Sequence, residues 1–321
     1  MITAVVCTAK GGALLDNCIA HLRNQSLQPL QIIVVHSFSL EYQHPNIKYL
    51  YTYGYHGYAH AVNKGLEYVD TPFFVVLNDD TAPEKDFLYT LHTSYEENRI
   101  LQPQIRLMDK PNILENTGHW ITKDGFNLAR GRGESINTAY KTEVSVFSGA
   151  AFFTHVSVYK KIGPMEETLF SFGEDLDWSI RAYRLGISIR YIKEAVIYHK
   201  LGASHGRVGF HKGKWVERNR ILAMIRSWPR SLLLKSPLYT TYRLSMIGMG
   251  SLSTPNKNPK TTLYTGIGAM MGIWTTQLYL HDMWKKRQRE QNRWICTDDE
   301  FADMIQRNTP PVQVLWHPPF F

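Results

Sequence analysis

Cysteine is scarce in this sequence: Cys7, Cys18 and Cys296 are odd in number and far apart. That spacing excludes a disulfide framework and matches no metal-binding pattern, so a reducing compartment is the natural setting. The amino terminus has no basic leader, long apolar stretch or small-residue cleavage site. It enters the short run Ala4-Val5-Val6-Cys7 at once, and secretion through a cleaved leader is not expected. A phosphate loop of Walker spacing and a dinucleotide fingerprint are also missing. The nearest approach, Thr8-Ala9-Lys10-Gly11-Gly12, reads equally well as a tight turn. No nucleic-acid module is recognisable, and no nucleic-acid partner is expected.

Acidic residues are sparse in one part of the chain. Residues 1–204 carry 19 basic and 21 acidic side chains, residues 205–293 carry 16 and 3, and residues 294–321 carry 1 and 4. The net charge of +8 therefore belongs to one segment, which suits an anionic partner such as lipid headgroups or a diphosphate.

With 321 residues the chain can bury a sizeable core. Short apolar runs at residues 4–7, 32–35, 47–51, 73–77, 144–147, 150–153, 189–192 and 196–198 read as strands. Leu14, Leu15, Cys18, Ile19 and Leu22 recur at helical spacing, as do Val62, Leu66 and Val69, and Leu176, Ile180 and Tyr183. The alternation predicts an α/β domain with a mostly parallel sheet flanked by helices, whose ligands bind beyond the carboxyl ends of the strands.

Those ends carry the chemistry. After the second run stand His36-Ser37; after the fourth, Asn78-Asp79-Asp80-Thr81. Two adjacent carboxylates at a strand end need a cation or strong hydrogen bonds, or else they cap a helix. Phe172-Gly173-Glu174-Asp175-Leu176-Asp177-Trp178 sets three carboxylates at a helix start, and His199 follows 24 residues past Asp175 at another strand end. The cluster supplies an acid/base candidate and ligands for a hard divalent cation; taken alone, it also fits a helix start that complements its dipole.

The motif order resembles family 2 inverting glycosyltransferases of GT-A (Rossmann-like) fold, closest to rhamnosyltransferase-like and galactofuranosyltransferase-like members. It runs from Asn24-Gln25-Ser26 and Val34-Val35 through Gly57-Tyr58-Ala59-His60-Ala61-Val62-Asn63-Lys64-Gly65 and Leu77-Asn78-Asp79-Asp80. Ser148-Gly149-Ala150, Gly173-Glu174-Asp175-Leu176-Asp177, His199 and Arg218-Asn219 follow. The resemblance covers residues 1 to about 225. It implies a nucleotide-diphosphate sugar donor, a glycan or lipid-linked acceptor and a Mn²⁺ or Mg²⁺ cofactor held by Asp80 and His199. It implies Asp175 as catalytic base, with Glu174 helping to hold the acceptor, while Asp177 caps the helix or pairs with Arg181. Thr8, Lys10, His36, Asn63, Asp79, Gly149 and Ala150 would line the donor. His36 departs from the pattern, which has Asp there against the nucleotide base, so the identity of the base stays open. A nucleotidyl-transferring enzyme and a non-catalytic nucleotide or glycan binder are the competing classes.

Trp120, Arg130 and Arg132 lie in a Gly-rich insertion at 115–134 and are acceptor-side candidates; loop residues packing on their own domain are the alternative. Arg207, Lys212 and Lys214 follow His199 in a glycine-punctuated basic stretch suited to close over a diphosphate. The expected division is a catalytic domain at 1–221, a basic apolar helical region at 222–293 and an acidic, proline-rich tail at 294–321. Residues 261–281 contain no charged side chain apart from histidine, yet five threonines, Gln277 and basic flanks on both sides argue against a span. An interfacial helix presenting Leu263, Ile267, Met270, Met271, Trp274 and Leu278 to an anionic membrane fits better, and a helix pair packed on the catalytic domain is the alternative. Gly268, Gly272 and Thr276 suit a close helix contact, for instance in a homo-oligomer. Together these readings place the protein in the cytoplasm, peripheral on the inner face of the cell membrane.

Overall fold

The computed structural model describes the whole chain except residues 41–42, 201–208, 253–258 and 317–321 and the side chains of 250–252, 259–264 and 316. The strands are β1 (Ile2–Thr8), β2 (Gln31–His36), β3 (Lys48–Tyr51), β4 (Phe73–Asn78), β5 (Thr81–Pro83), β6 (Arg99–Leu107), β7 (Lys110–Asn116), β8 (His119–Ile121), β9 (Asn127–Ala129), β10 (Glu143–Val144), β11 (Ala151–His155) and β12 (Ser188–His199). The helices are α1 (Ala13–Arg23), α2 (Tyr58–Leu66), α3 (Phe87–Thr93), α4 (Val156–Ile162), α5 (Glu174–Arg184), α6 (Phe210–Ser227), α7 (Arg230–Leu252), α8 (Pro259–Thr275), α9 (Leu280–Glu290), α10 (Asp298–Arg307) and α11 (Val312–Trp316).

The main sheet runs β10-β12-β6-β11-β4-β1-β2-β3, with β5 on β12 and β7 on β6. β3, β2, β1 and β4 are mutually parallel, as β12 is to β6; β11 is inserted antiparallel between β4 and β6. All seven side chains of β1 are buried, as a β-branched strand covered on both faces should be. Alternation sends Val5 and Cys7 to one core with Val62, Leu66 and Trp178, and Ala4 and Val6 to the other with Leu15, Ile19 and Leu22. α2 lies so close to the sheet that a Cβ on Gly65 would stand 2.3 Å from Val5 Cγ1.

Three expected strands differ. Residues 189–192 and 196–198 form one strand, β12, with a bulge between Ile192 and Val196 where it passes Pro103 of β6. Of 144–147 only Val144 is in a strand; Phe147 N–H instead meets the Ser179 hydroxyl. β6 has no strand signature because Gln102, Pro103 and Gln104 interrupt it. Gln102 receives Ser148 N–H at 2.6 Å and Gln104 donates to the Tyr191 hydroxyl at 2.7 Å, so both glutamines lie buried at little cost.

The expected boundary at 221/222 falls inside α6. Leu222, Ala223, Met224 and Trp228 pack with Leu176 and Ile180 of α5 and with Phe301 and Ile305 of α10. α8 rests on α6 through glycines: a Cβ on Gly213 would meet Thr265 O at 2.4 Å, one on Gly268 Phe210 O at 2.1 Å and one on Gly272 Lys214 O at 2.3 Å. The glycine contact read as a route to an oligomer is thus occupied within the chain. Among the described residues, no helix is long and apolar enough to cross a membrane.

α7 is fastened by charge. Arg243 donates to Asp124 at 2.8 Å and to Glu217 at 2.9 Å, while Arg220 pairs with Glu217 at 2.6 Å, all buried. Arg243→Leu strips a buried partner from two carboxylates and is expected to cost about 3–5 kcal/mol. Urea unfolding should show a lower midpoint with an unchanged slope.

Candidate functional site

Thr8, His36, Asn78 and His199 end β1, β2, β4 and β12. Thr8, Val35, His36, Thr52, Tyr58 and Asp79 are among the residues lining a cleft at the β1 and β2 ends. Here the Thr8 hydroxyl donates to Asp79 and accepts Gly11 N–H at 2.8 Å, so the Thr8–Gly12 loop is a turn whose anchor also orients Asp79. Burial foremost, opposed by Thr8 and reinforced by Asp80, pushes Asp79 up to about 6. Lys10 is exposed at the tip of the turn. His36 bonds Phe38 O through Nδ1 at 2.7 Å and stacks on Tyr51 with ring centres 5.3 Å apart.

β5 pairs antiparallel with β12 so that His199 faces Thr81, which brings the imidazole to Asp80. Nε2 stands 3.0 Å from Asp80 Oδ1, and Nδ1 2.6 Å from Glu115 Oε2 on β7. Burial alone would lower the imidazole, but the Glu115 charge and the bonds to Asp80 and Glu115 outweigh it and hold it up to about 10. A carboxylate oriented on Nδ1 fixes the ring and leaves Nε2 directed at Asp80, the carboxylate–histidine arrangement that supports metal ligation. Among the described residues no cluster of three or more His, Cys, Asp or Glu side chains is arranged to hold a metal. The Asp80–His199 pair offers one oxygen and one nitrogen to a divalent cation, the rest of whose coordination would fall to water or phosphate oxygens.

Asp175 opens α5. Its Oδ2 receives Gly149 N–H at 3.4 Å, and its Oδ1 receives Leu176 N–H at 2.8 Å. Tyr58 donates its hydroxyl to Gly149 O, and Asn78 N–H donates to Ala150 O at 3.0 Å. Gly149 and Asn78 thereby link Asp175 to the strand end that bears Asp79 and Asp80. The chain entering α5 is strained: Phe170 and Phe172 both have φ of 64°, a conformation that costs a non-glycine residue roughly 1–3 kcal/mol. Gly57, φ 93°, lies against it where a Cβ would be 2.1 Å from Phe170 O.

Glu174 is buried, and its Oε2 has no hydrogen-bond partner among the described residues. Burial, then the neighbouring Asp175 charge, push its carboxyl up to about 8. Asp177 pairs with Arg181 at 2.8 Å, as expected, and also with Arg226 at 3.3 Å.

Other expectations are redirected. Asn63 bonds Met165 O and Glu167 at 2.9 Å and receives Met165 N–H at 2.8 Å, so its amide ties α2 to 165–167 and is not free for a donor. Ala150 packs into the sheet core. Trp120 packs edge-on to Tyr140, while His119 beside it stands 4.0 Å from Asp175. Strand alternation separates the two, so His119 and not Trp120 is the residue of β8 turned toward Asp175. Arg130 is buried on Thr117 and Glu143 carbonyls, and Arg132 reaches Glu115 at 3.4 Å. Lys212 lies in the first turn of α6 with its ammonium 5.4 Å from the Phe172 ring centre, lowered by burial and by Arg132. Arg207 lies outside the described residues. His119 and Glu115 have no sequence signal, since neither ends a recognisable strand, and Tyr58 stands out only as part of its motif.

A carboxyl held protonated in the folded chain loses stabilisation as pH rises, since only the folded state still binds the proton between 4.5 and about 8. Glu174→Gln has no such proton. The Tm difference, variant minus wild type, should grow more positive from pH 5 to pH 8 in calorimetry; a flat difference would mean a solvated Glu174.

Comparison with known proteins agrees with this geometry. Residues 3–163 match the glycosyl transferase family 2 model. The chain is 26% identical over 201 residues to the low-salt glycan biosynthesis hexosyltransferase Agl10 of Haloferax volcanii, covering 59% of this chain and 64% of that relative, so it spans less than two thirds of its length. The structure superposes on GalNAc-T7 with UDP, GalNAc and Mn²⁺ at TM-score 0.64 and 11% identity, covering 99% of this chain and 58% of the other. S. aureus TarS 1–349 with UDP-GlcNAc gives 0.54 at 13%, covering 94% and 91%. The mannosyltransferase PcManGT of Pyrobaculum calidifontis with GDP-Man and Mn²⁺ gives 0.50 at 15%, covering 89% and 86%. These likenesses establish the GT-A fold. Since the family match takes in half the chain and carries the strand ends of β1, β2 and β4, the protein belongs to glycosyl transferase family 2.

Proposed function

We propose that the protein transfers a sugar from a nucleotide-diphosphate donor to a hydroxyl of a glycan or lipid-linked acceptor, with inversion and with Asp175 as base. The observation that carries this reading is the link through Gly149 and Asn78, which holds Asp175 at the same strand end as the Asp80–His199 pair. In a single displacement the acceptor oxygen bonds the anomeric carbon, its proton passes to Asp175, and the carbon–oxygen bond to the diphosphate breaks with its electrons leaving on phosphate. The cleft at Thr8, His36 and Asp79 receives the nucleoside, and His36 meets the base. A divalent cation, Mn²⁺ or Mg²⁺, held by Asp80 and His199 would neutralise charge on the departing diphosphate.

Asp175→Asn keeps the side-chain shape and removes the base. Release of nucleoside diphosphate should fall by about 10²- to 10⁴-fold while binding of the diphosphate persists. If neither chain releases it from any sugar donor, the protein is a binder and the transfer reading fails.

A lipid-linked acceptor requires a membrane face, and the exposed side of α8 supports that reading. Ile267, Met270, Met271 and Trp274 form one exposed apolar patch on its surface away from α6, with Lys285 and Arg289 exposed on α9. The patch lies on an anionic lipid surface in this reading, peripheral on the cytoplasmic side. Wild type should float with phosphatidylglycerol vesicles, and Met270→Asp with Trp274→Asp should abolish flotation without lowering Tm. Flotation unaffected by the pair would remove the membrane reading.

A further inference from the structure

The loop 168–173 delivers Asp175, yet its own residues do not favour its shape. Phe170 and Phe172 hold positive φ, and Gly173 starts α5 at φ 94° with no side-chain cap, so the Leu169, Ser171 and Phe172 carbonyls are presented by an irregular segment. All three carbonyls are met by one side chain from another part of the chain. Asn219, fully buried on α6, donates through Nδ2 to Leu169 O at 2.7 Å, Ser171 O at 3.0 Å and Phe172 O. Its Oδ1 accepts Arg218 Nε–H at 2.8 Å, which fixes the amide with its nitrogen toward the loop. Arg218 also donates to Thr168 O and Leu169 O at 3.1 Å. Trp215, one turn earlier, packs on both phenylalanines with ring centres at 5.3 and 6.3 Å.

We propose that Asn219, oriented by Arg218, is a positioning residue that holds the strained 168–173 loop so that Asp175 meets the acceptor hydroxyl. This rests on the reading of Asp175 as base. The clamp holds one loop conformation by bridging three of its carbonyls; Leu169 O also accepts Ser171 N–H at 2.7 Å, so what the amide adds is the tie from there to Ser171 O and Phe172 O. Gly173 is part of the fit, since a Cβ there would stand 3.0 Å from Asn219 Cβ.

The test is Asn219→Ala in the full chain, alone and combined with Asp175→Asn. Loss of the clamp is expected to lower kcat on the order of 10²-fold while UDP and GDP affinities, measured with Mn²⁺, stay unchanged. In the Asp175→Asn background it should cost nothing more, because it acts through Asp175. Hydrogen exchange at amides 168–174 should accelerate in Asn219→Ala with no substrate present. An equal loss in both backgrounds, a parallel loss of nucleotide affinity, or unchanged exchange each overturns the proposal. If no donor is turned over by wild type, the transfer reading fails and the exchange measurement alone decides the clamp. Should Asn219→Ala fail to fold, Arg218→Lys carries the same readouts, and wild-type values in it overturn the proposal.

Discussion

Carboxylates crowded at one edge of the sheet are the constraint around which the rest of the molecule is arranged. Asp79, Asp80, Glu115 and Glu174 are all buried there, and Asp175 lies beside them. Like charges in so small a volume need counter-charges or protons. The structure answers differently for each. Asp79 takes the Thr8 hydroxyl, Asp80 and Glu115 share the His199 imidazolium, and Glu174 keeps its own proton. Two adjacent carboxyls on α5 thus sit differently: Glu174 is buried with its Oε2 unpartnered among the described residues, and Asp175 reaches the Gly149 N–H. Where His199 carries its Nε2 proton, a cation bound with phosphate would take that proton's place.

Much of this edge was legible because strand ends are legible. Apolar β-branched runs ending in Asn78-Asp79-Asp80 and in His199 name their positions without any structure, and the parallel order of β1, β2 and β4 follows from the alternation with helices. Glu115 was hidden because β6 and β7 are not apolar runs. Their burial depends on glutamine side chains finding partners 46 and 87 residues away, and pattern reading does not see such pairings. Asn63 misled for the opposite reason: it sits in a motif beside the cleft, but its amide is turned to the backbone at 165. In the three-residue strand β8 one position decides which side chain faces Asp175: it is His119, while Trp120 packs on Tyr140.

The basic segment also changes meaning once folded. Arg220, Arg226, Arg243 and Arg287 are buried, and their charges or N–H groups are taken up by Asp124, Glu217, Glu166, Asp177 and main-chain carbonyls. A large share of the excess therefore fastens helices to the α/β layer rather than meeting an outside anion. Among the described residues of the segment, Arg230, Lys235, Lys285, Arg289 and Arg293 stay exposed. The glycines of α8, which resemble a dimer signature in sequence, let it lie against the backbone of α6.

That close packing bears on catalysis. The family match ends at residue 163, before the loop and helix that present Asp175. The loop holds two phenylalanines in a conformation their own preferences oppose, so its shape must be imposed from elsewhere, and α6 imposes it. α6 is in turn held on one side by α5 and α10 through Leu222, Met224 and Trp228, and on the other by α8 at glycine distance. Removing residues beyond 221 would cut α6 in its middle and release its mount. The carboxyl-terminal helices are thus tied to the loop that presents Asp175, and a boundary at 221/222 would divide the helix that carries Asn219.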